Sequence, residues 1–96
     1  MKPSDALHAH RAAIRSIVAA HHAGNPRVFG SVLRGEDSID SDLDLLIEPT
    51  AETTLMDIGA SRFELKRLLG VEVDVLTPGA LPDNFRAQVM AEAEQV

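Results

Sequence analysis

Residues 71–77, VEVDVLT, alternate apolar and polar from Val71 to Val75 before Leu76 and the closing threonine. A period of two is sustained by an extended strand whose faces meet different surroundings. Val71, Val73 and Val75 therefore predict a core face, and Glu72, Asp74 and Leu76 the opposite one. A second segment, DLDLLIE at 42–48, follows the same rule. Leu43, Leu45 and Ile47 share an apolar face, while Asp42, Asp44 and Leu46 point the other way. If the two strands are neighbours with their apolar faces on one core, Asp74 falls on the side that carries Asp42 and Asp44. Three carboxylates then meet at one end of a sheet.

Around these strands the 3.6-residue period predicts helices. Ser4 or Asp5 opens one that runs to about His22, with Leu7, Ile14, Ile17 and Val18 along one side, and AGNP at 23–26 ends it. RVF at 27–29 predicts a very short strand. Gly30-Ser31 follow, with one or two helical turns to Gly35 and a polar loop, EDSIDS, at 36–41. Pro49 stops the strand at 42–48. Thr53 or Thr54 caps a helix with the stripe Leu55, Ile58, Arg62, Leu65 and Leu69, closed by Gly70. After the turn at Pro78-Gly79, a last helix begins near Pro82 and carries Phe85, Val89, Met90 and Ala93. The order α-β-(short α)-β-α-β-α predicts an α/β protein of the mixed α+β kind, a small mixed sheet of three to four strands packed with helices. The 96 residues predict one domain, 1–96, with a thin core. So small a sheet leaves an edge for something to cover.

Fifteen acidic residues against nine basic ones give a formal charge of −6. No basic stripe exists and no aromatic platform interleaves with Lys or Arg, which excludes a simple nucleic-acid-binding module, since phosphate neutralisation dominates such binding. The acidic balance suits a basic partner protein or sites for divalent cations. There is no cysteine, so disulfides and cysteine-zinc sites are excluded. Neither an apolar leader nor a stretch of membrane-spanning length is present, and a cytoplasmic location is the default expectation.

Three close carboxylates repel unless cations neutralise them. Oxygen ligands alone select Mg²⁺ or Mn²⁺ rather than zinc, and a pair of such ions about 3.5–4 Å apart is a standard clamp for displacement at phosphorus. Gly30, after a strand, lets the backbone approach a ligand closely. Ser31, opening a helix, offers N–H groups and a hydroxyl to an anion. The FGS turn is thus a candidate cradle for a nucleotide's phosphate tail, with Asp42 and Asp44 holding its metal. Asp74 would hold a second ion and help deprotonate an attacking hydroxyl. An isolated Asp-x-Asp is more often a solvated strand end; the upstream Gly-Ser and the in-phase Asp74 turn the balance. Glu36, Asp37, Asp40, Glu48 and Glu72 read as solvated. His8 and His10 do not share a helix face, and His21 and His22 complement a helix end. Phe29 reads as core.

GSVLRGEDSIDSDLDLLI, residues 30–47, resembles the signature of the polymerase-beta-like nucleotidyltransferase superfamily, a Gly-Ser pair followed at a set distance by Asp-x-Asp. Together with VDVLTPGAL it resembles more narrowly the MNT, or minimal nucleotidyltransferase, antitoxin family, over Phe29 to Glu94. The resemblance implies a partner toxin of the HEPN ribonuclease type, silenced by transfer of AMP from ATP to a tyrosine hydroxyl. It implies Gly30 and Ser31 as the triphosphate-binding pair and Asp42, Asp44 and Asp74 as metal ligands. Arg34 matches the motif arginine, contacting phosphate or bracing the loop. Leu33 departs from the pattern, where relatives usually carry a small residue. Two other functions are open: an antitoxin that inhibits by binding alone, and nucleotide transfer to a small molecule. The latter is disfavoured because no further region is evident to hold such a molecule, and acceptor recognition is expected from the partner or a second copy.

Overall fold

A computed structural model describes all of residues 1–96. Helices α1 (Pro3–Ala9) and α2 (Arg11–Ala20) lead into β1 (Ala23–Phe29) and the four-residue helix α3 (Gly30–Leu33). Strand β2 (Leu43–Pro49), helix α4 (Leu55–Leu69), β3 (Val73–Leu76), a 3₁₀ turn (Pro78–Ala80), α5 (Asp83–Glu92) and β4 (Glu94–Gln95) follow. The sheet order is β3-β2-β1-β4. β2 and β3 run parallel, and β1 is antiparallel to both β2 and β4. This is the mixed α/β arrangement that the sequence predicts, with a fourth strand added.

The alternation sets the core. Leu43, Leu45, Ile47, Val73 and Val75 are buried on one sheet face, against Ala6, Leu7, Ile14 and Val18 from α1 and α2 and Leu65 and Leu69 from α4. At about 25 cal/mol per Å² of apolar area, each such Leu or Ile contributes roughly 2 kcal/mol relative to exposure. The opposite face carries Phe29, Asp44 and Asp74 in one row and Arg27, Leu46 and Leu76 in the next, as the register Phe29↔Asp44↔Asp74 and Arg27↔Leu46↔Leu76 fixes. Only α5 and the 3₁₀ turn lie on that side near β3, so part of it stays open.

Several expectations are corrected. The first helix is two: His10, at φ −130° and ψ 26°, leaves the helical region. The break aims α1 across β2 and α4 and lets α2 lie along β1. The apolar spacing is the same in a broken and an unbroken helix, so it conceals the break. Neither Ser4 nor Asp5 caps α1; Lys2 holds that position with Pro3 at the first turn, where a missing N–H costs nothing. β1 starts at Ala23, not Arg27, because a register irregularity between Gly24 and Arg27, with Asn25 in the left-handed region at φ 45°, absorbs the glycine and proline. β4 is polar and two residues long, without any period to announce it. It covers the β1 edge, helped by Val96 N–H donating to the Pro26 carbonyl and Arg15 to that of Val96.

α4 begins as expected at Thr54, whose hydroxyl accepts from Asp57 N–H while Asp57 accepts from Thr54 N–H, a reciprocal capping box. It ends at Gly70 in the left-handed conformation. Its buried stripe is Ser61, Leu65 and Leu69 with Ile58 packed beside them. Leu55 is 87% exposed, since the first turn projects beyond the sheet. Ser61 is satisfied in the core by donating to the Asp57 carbonyl, and Arg62 donates instead to the Val73 carbonyl at the open β3 edge. α5 ends at Glu92, one residue before Ala93, and buries no residue; Phe85, expected in the core, is 54% exposed.

Candidate active site

Asp44 and Asp74 are direct register partners on the parallel strands β2 and β3. Their side chains share a face because each is one step out of phase with the buried Leu43, Leu45, Val73 and Val75. Asp42 precedes β2, exposed, rather than lying within the strand as the pattern predicts. The effect of this grouping falls on Asp44. Burial pushes its carboxyl up to about 6, and the negative charges of Asp74 and Asp42 add to the effect. A hydrogen bond to Asp74, which favours the neutral form, acts the same way, and Arg34 opposes it. Asp44 thus lies within the field of both neighbours. Nowhere in the chain, however, do three His, Asp or Glu side chains close on one point as ready ligands of an ion. The trio is an acidic neighbourhood, not a preformed cage.

Gly30 explains how Asp44 finds room. Its φ is +74°, in the left-handed region, and a Cβ built there would lie 2.1 Å from Asp44 Oδ2. The glycine is required twice over, by backbone conformation and by the carboxylate that passes where a side chain would stand. Ser31 follows in the first turn of α3, half-buried. Arg34 ends that helix, exposed, its Nε donating to Glu36. Leu33, the departure from the pattern, packs its partly buried side chain against the core. The donor set fits a hard divalent cation: carboxylate oxygens only, one of them raised in pKa by burial and by the neighbouring negative charges of Asp74 and Asp42.

Other acidic residues have structural partners. Asp37, expected to be solvated, accepts from Ser4 N–H in the first turn of α1, and this bond holds its carboxyl below the usual range. Glu48 is not a free strand end but pairs with Arg27 of β1. Glu72 meets Lys66. His21 pairs with Glu64, and His22 with Asp57.

Beside the acidic row lies a cavity of about 380 Å³ that the sequence reading missed. It is bounded by Phe29, Gly30 and Arg34 on one side and by Leu76, Leu81 and α5 on the other. Phe85, Gln88, Val89 and Glu92 recur at helical spacing along the α5 wall. That i, i+3, i+4, i+7 pattern is the available signal; the stripe expected in the core, Phe85, Val89, Met90 and Ala93, shares only Phe85 and Val89 with it.

The family described as nucleotidyltransferase domain matches residues 14–95. The chain belongs to that family. It is therefore a nucleotidyltransferase, of a family that uses ATP and a divalent metal. Among its relatives is protein adenylyltransferase MntA of Thermococcus cleftensis, 31% identical over 90 residues, covering 94% of this chain and 88% of that one. A candidate protein adenylyltransferase of Methanocaldococcus jannaschii is 34% identical over 80 residues, covering 83% and 86%. A solved structure described as a candidate minimal nucleotidyltransferase superposes with a TM-score of 0.86 at 43% identity, over 97% of this chain and 95% of its own. The fold also recurs, at 17% identity and a TM-score of 0.70, in a crystal structure of a toxin-antitoxin with AMP-PNP, with 83% of this chain and 66% of that one covered.

Proposed function

We propose that this nucleotidyltransferase is an antitoxin that silences a HEPN-type ribonuclease toxin by moving AMP from ATP onto a tyrosine hydroxyl of the toxin. The observation that carries the reading is the pairing of Asp44 with Asp74 beside a glycine that must be Gly30. The relative named protein adenylyltransferase MntA supports adenylate as the transferred group and a protein as the acceptor. The formal charge of −6 suits docking to a basic ribonuclease.

In this reading Gly30 and Ser31 bind the triphosphate through backbone N–H groups and the serine hydroxyl, and Arg34 supplies the one cationic side chain beside them. Asp42, Asp44 and Asp74 would hold Mg²⁺ or Mn²⁺, which supplies charge neutralisation at the phosphates and at the attacking oxygen. The tyrosine oxygen bonds to the α-phosphorus, the bond from that phosphorus to the bridging oxygen breaks, and pyrophosphate departs with the electron pair. Asp74 takes up the phenolic proton. Strands β2 and β3 keep the two aspartates in register, so the attacking hydroxyl is oriented by rigid backbone rather than by a loop. The reaction belongs in the cytoplasm, where ATP is available.

The decisive experiment incubates the chain and its toxin with ATP and Mg²⁺ and weighs the toxin. A mass gain of one or more adenylates, absent with the Asp42→Asn/Asp44→Asn protein, is expected. No gain, or an equal gain with that variant, refutes the assignment. A second reading, inhibition by binding alone, is favoured by the absence of a closed three-ligand cage. Toxin neutralisation that survives loss of Asp42, Asp44 and Asp74 would establish it instead.

A further inference from the structure

The cavity beside the acidic row has two unlike ends. Its polar side chains, Arg34, Gln88 and Glu92, belong to α3 and the last turns of α5. The pairing Val28↔Glu94 ties the end of α5 to the end of β1, and so brings Gln88 and Glu92 to the side of Gly30. Gln88 Nε2 donates to Glu92 Oε1 at 3.3 Å. This leaves the Gln88 carbonyl and the rest of the Glu92 carboxylate as acceptors. The other end is walled by Leu76, Leu81, Pro82 and Phe85, with no side-chain donor or acceptor among them. The nearby backbone acceptors are already taken: Arg86 donates to the carbonyls of Pro78, Gly79 and Leu81.

We propose that this cavity receives the nucleoside of the donor nucleotide, and that it reads the ribose and the flat shape of the base but not the base's hydrogen-bonding edge. The proposal rests on the nucleotidyl-transfer reading above and extends it to donor selection. Three observations carry it. The cavity opens on Gly30 and Arg34, the residues assigned to the phosphates, so a nucleotide held there has its sugar and base directed along a continuous surface. Its volume, about 380 Å³, lies in the ~300–1,000 Å³ range of small-ligand sites. Its chemistry is divided as a nucleoside's is. Acceptors on Glu92 and Gln88 suit donating ribose hydroxyls, as a carboxylate does in dinucleotide folds. A slot between Phe29, Leu76, Phe85 and Val89 suits a flat apolar face. With no polar side chain at the apolar end, adenine and guanine are not told apart by side-chain bonds to their edges. A 2′-deoxyribose loses a bond to a charged acceptor.

Calorimetric titration of the intact chain in Mg²⁺ with ATP, GTP, dATP and tripolyphosphate tests this. ATP and GTP should bind within about fivefold of each other, less than one base-edge pair would give. dATP should bind ~10-fold more weakly than ATP, the scale of a lost hydrogen bond to a charged group, and Glu92→Ala should close that gap. Val89→Trp, which fills the slot, should weaken ATP and GTP by ~10-fold or more while tripolyphosphate binding is retained. Phe85→Ala, at a position 54% exposed on a helix that buries no residue, should weaken both by ~10-fold, as loss of one base-aromatic contact does. A preference of ~100-fold for ATP over GTP would overturn the shape reading. Unchanged ATP affinity in both Val89→Trp and Phe85→Ala would overturn the nucleoside assignment, and loss of toxin modification in those same variants would give the cavity to the acceptor's aromatic ring. If the unaltered, folded chain binds neither ATP nor tripolyphosphate, the nucleotidyl-transfer reading itself fails, and the cavity proposal with it.

Discussion

Three glycines share nearly the same left-handed conformation, Gly30 at φ 74°, Gly35 at 71° and Gly70 at 69°, yet only one of them faces a neighbour. A Cβ at Gly35 or Gly70 would meet nothing within 4 Å, whereas at Gly30 it would lie 2.1 Å from Asp44 Oδ2. Substitution by alanine therefore separates two costs. At Gly35 and Gly70 it should cost about 1–2 kcal/mol, the conformational penalty of a side chain in the left-handed region. At Gly30 the Asp44 carboxylate must also move, and it has little freedom: it sits half-buried on a strand whose other face is packed. Forced repacking of this kind costs about 1–3 kcal/mol more, for a total of roughly 2–5 kcal/mol. The comparison is made by urea unfolding of the three single variants, with a double-mutant cycle between Gly30→Ala and Asp44→Ala. Removing the carboxylate should recover about 1 kcal/mol or more of the Gly30→Ala loss, seen as coupling between the two sites. If Gly30→Ala costs no more than Gly35→Ala and Gly70→Ala, or if the cycle shows no coupling, the carboxylate does not occupy the space the glycine leaves and the site geometry is wrong.

Two further outcomes follow from the electrostatics. In metal-free buffer at pH 8, Asp44→Asn should stabilise the fold, and in the separate assay with ATP and Mg²⁺ it should abolish transfer. A carboxyl at about 6 rather than 3.8 corresponds to about 3 kcal/mol at 1.36 per pH unit, which solvent screening at a half-buried position cuts to about 1 kcal/mol. Because the folded pKa is the higher one, the cost is present above 6 and fades as pH falls toward 3.8, so urea midpoints of the two proteins should converge near pH 4; a variant less stable at pH 8 would refute this. Asp57 behaves in the opposite sense. Its bond from Thr54 N–H, aided by His22 and the Thr54 hydroxyl, lowers its pKa, so its contribution is present above the ordinary aspartate value and lost as pH falls through the lowered one. Asp57→Asn should flatten the acid limb of stability below about pH 4, and Thr54→Ala should cost about 1 kcal/mol at neutral pH. An unchanged acid limb would remove the capping box from the account.

What the sequence made legible was whatever repeats with a period or sits at a fixed offset. The alternation in 42–48 and 71–77 is enough to place Asp44 and Asp74 on one face, because a buried valine or leucine on either side leaves an aspartate no other direction. The Gly-Ser pair is legible through its offset from Asp42 and Asp44 and reads as room for a ligand; that the space at Gly30 is taken by the Asp44 carboxylate shows only in the structure. Asp42 was harder: it carries the parity of Asp44 but lies before the ladder begins, where parity no longer dictates direction. β4 was invisible because Glu94 and Gln95 pair through backbone alone. The break at His10 was invisible because Leu7, Ile14 and Val18 fall on one line whether or not the helix bends. Leu55 and Phe85 misled because helical spacing identifies which residues share a side, and says nothing of whether that side reaches the core.

The last point bears on how a chain this small can do chemistry. Phe85 and Val89 stand on a helix that buries no residue, so their apolar surface contributes little to holding the fold. The helix is fixed at its ends instead, by Arg86 bridging three carbonyls at the 3₁₀ turn and by β4 joining β1. A helix anchored only at its ends can leave a space against the sheet without destabilising the core, which lies on the opposite face. Residues that look like core by period are thereby released to line a cavity next to Gly30. The acidic row and the cavity are thus two uses of the part of one sheet face left open, because helices α1, α2 and α4 all pack on the other face.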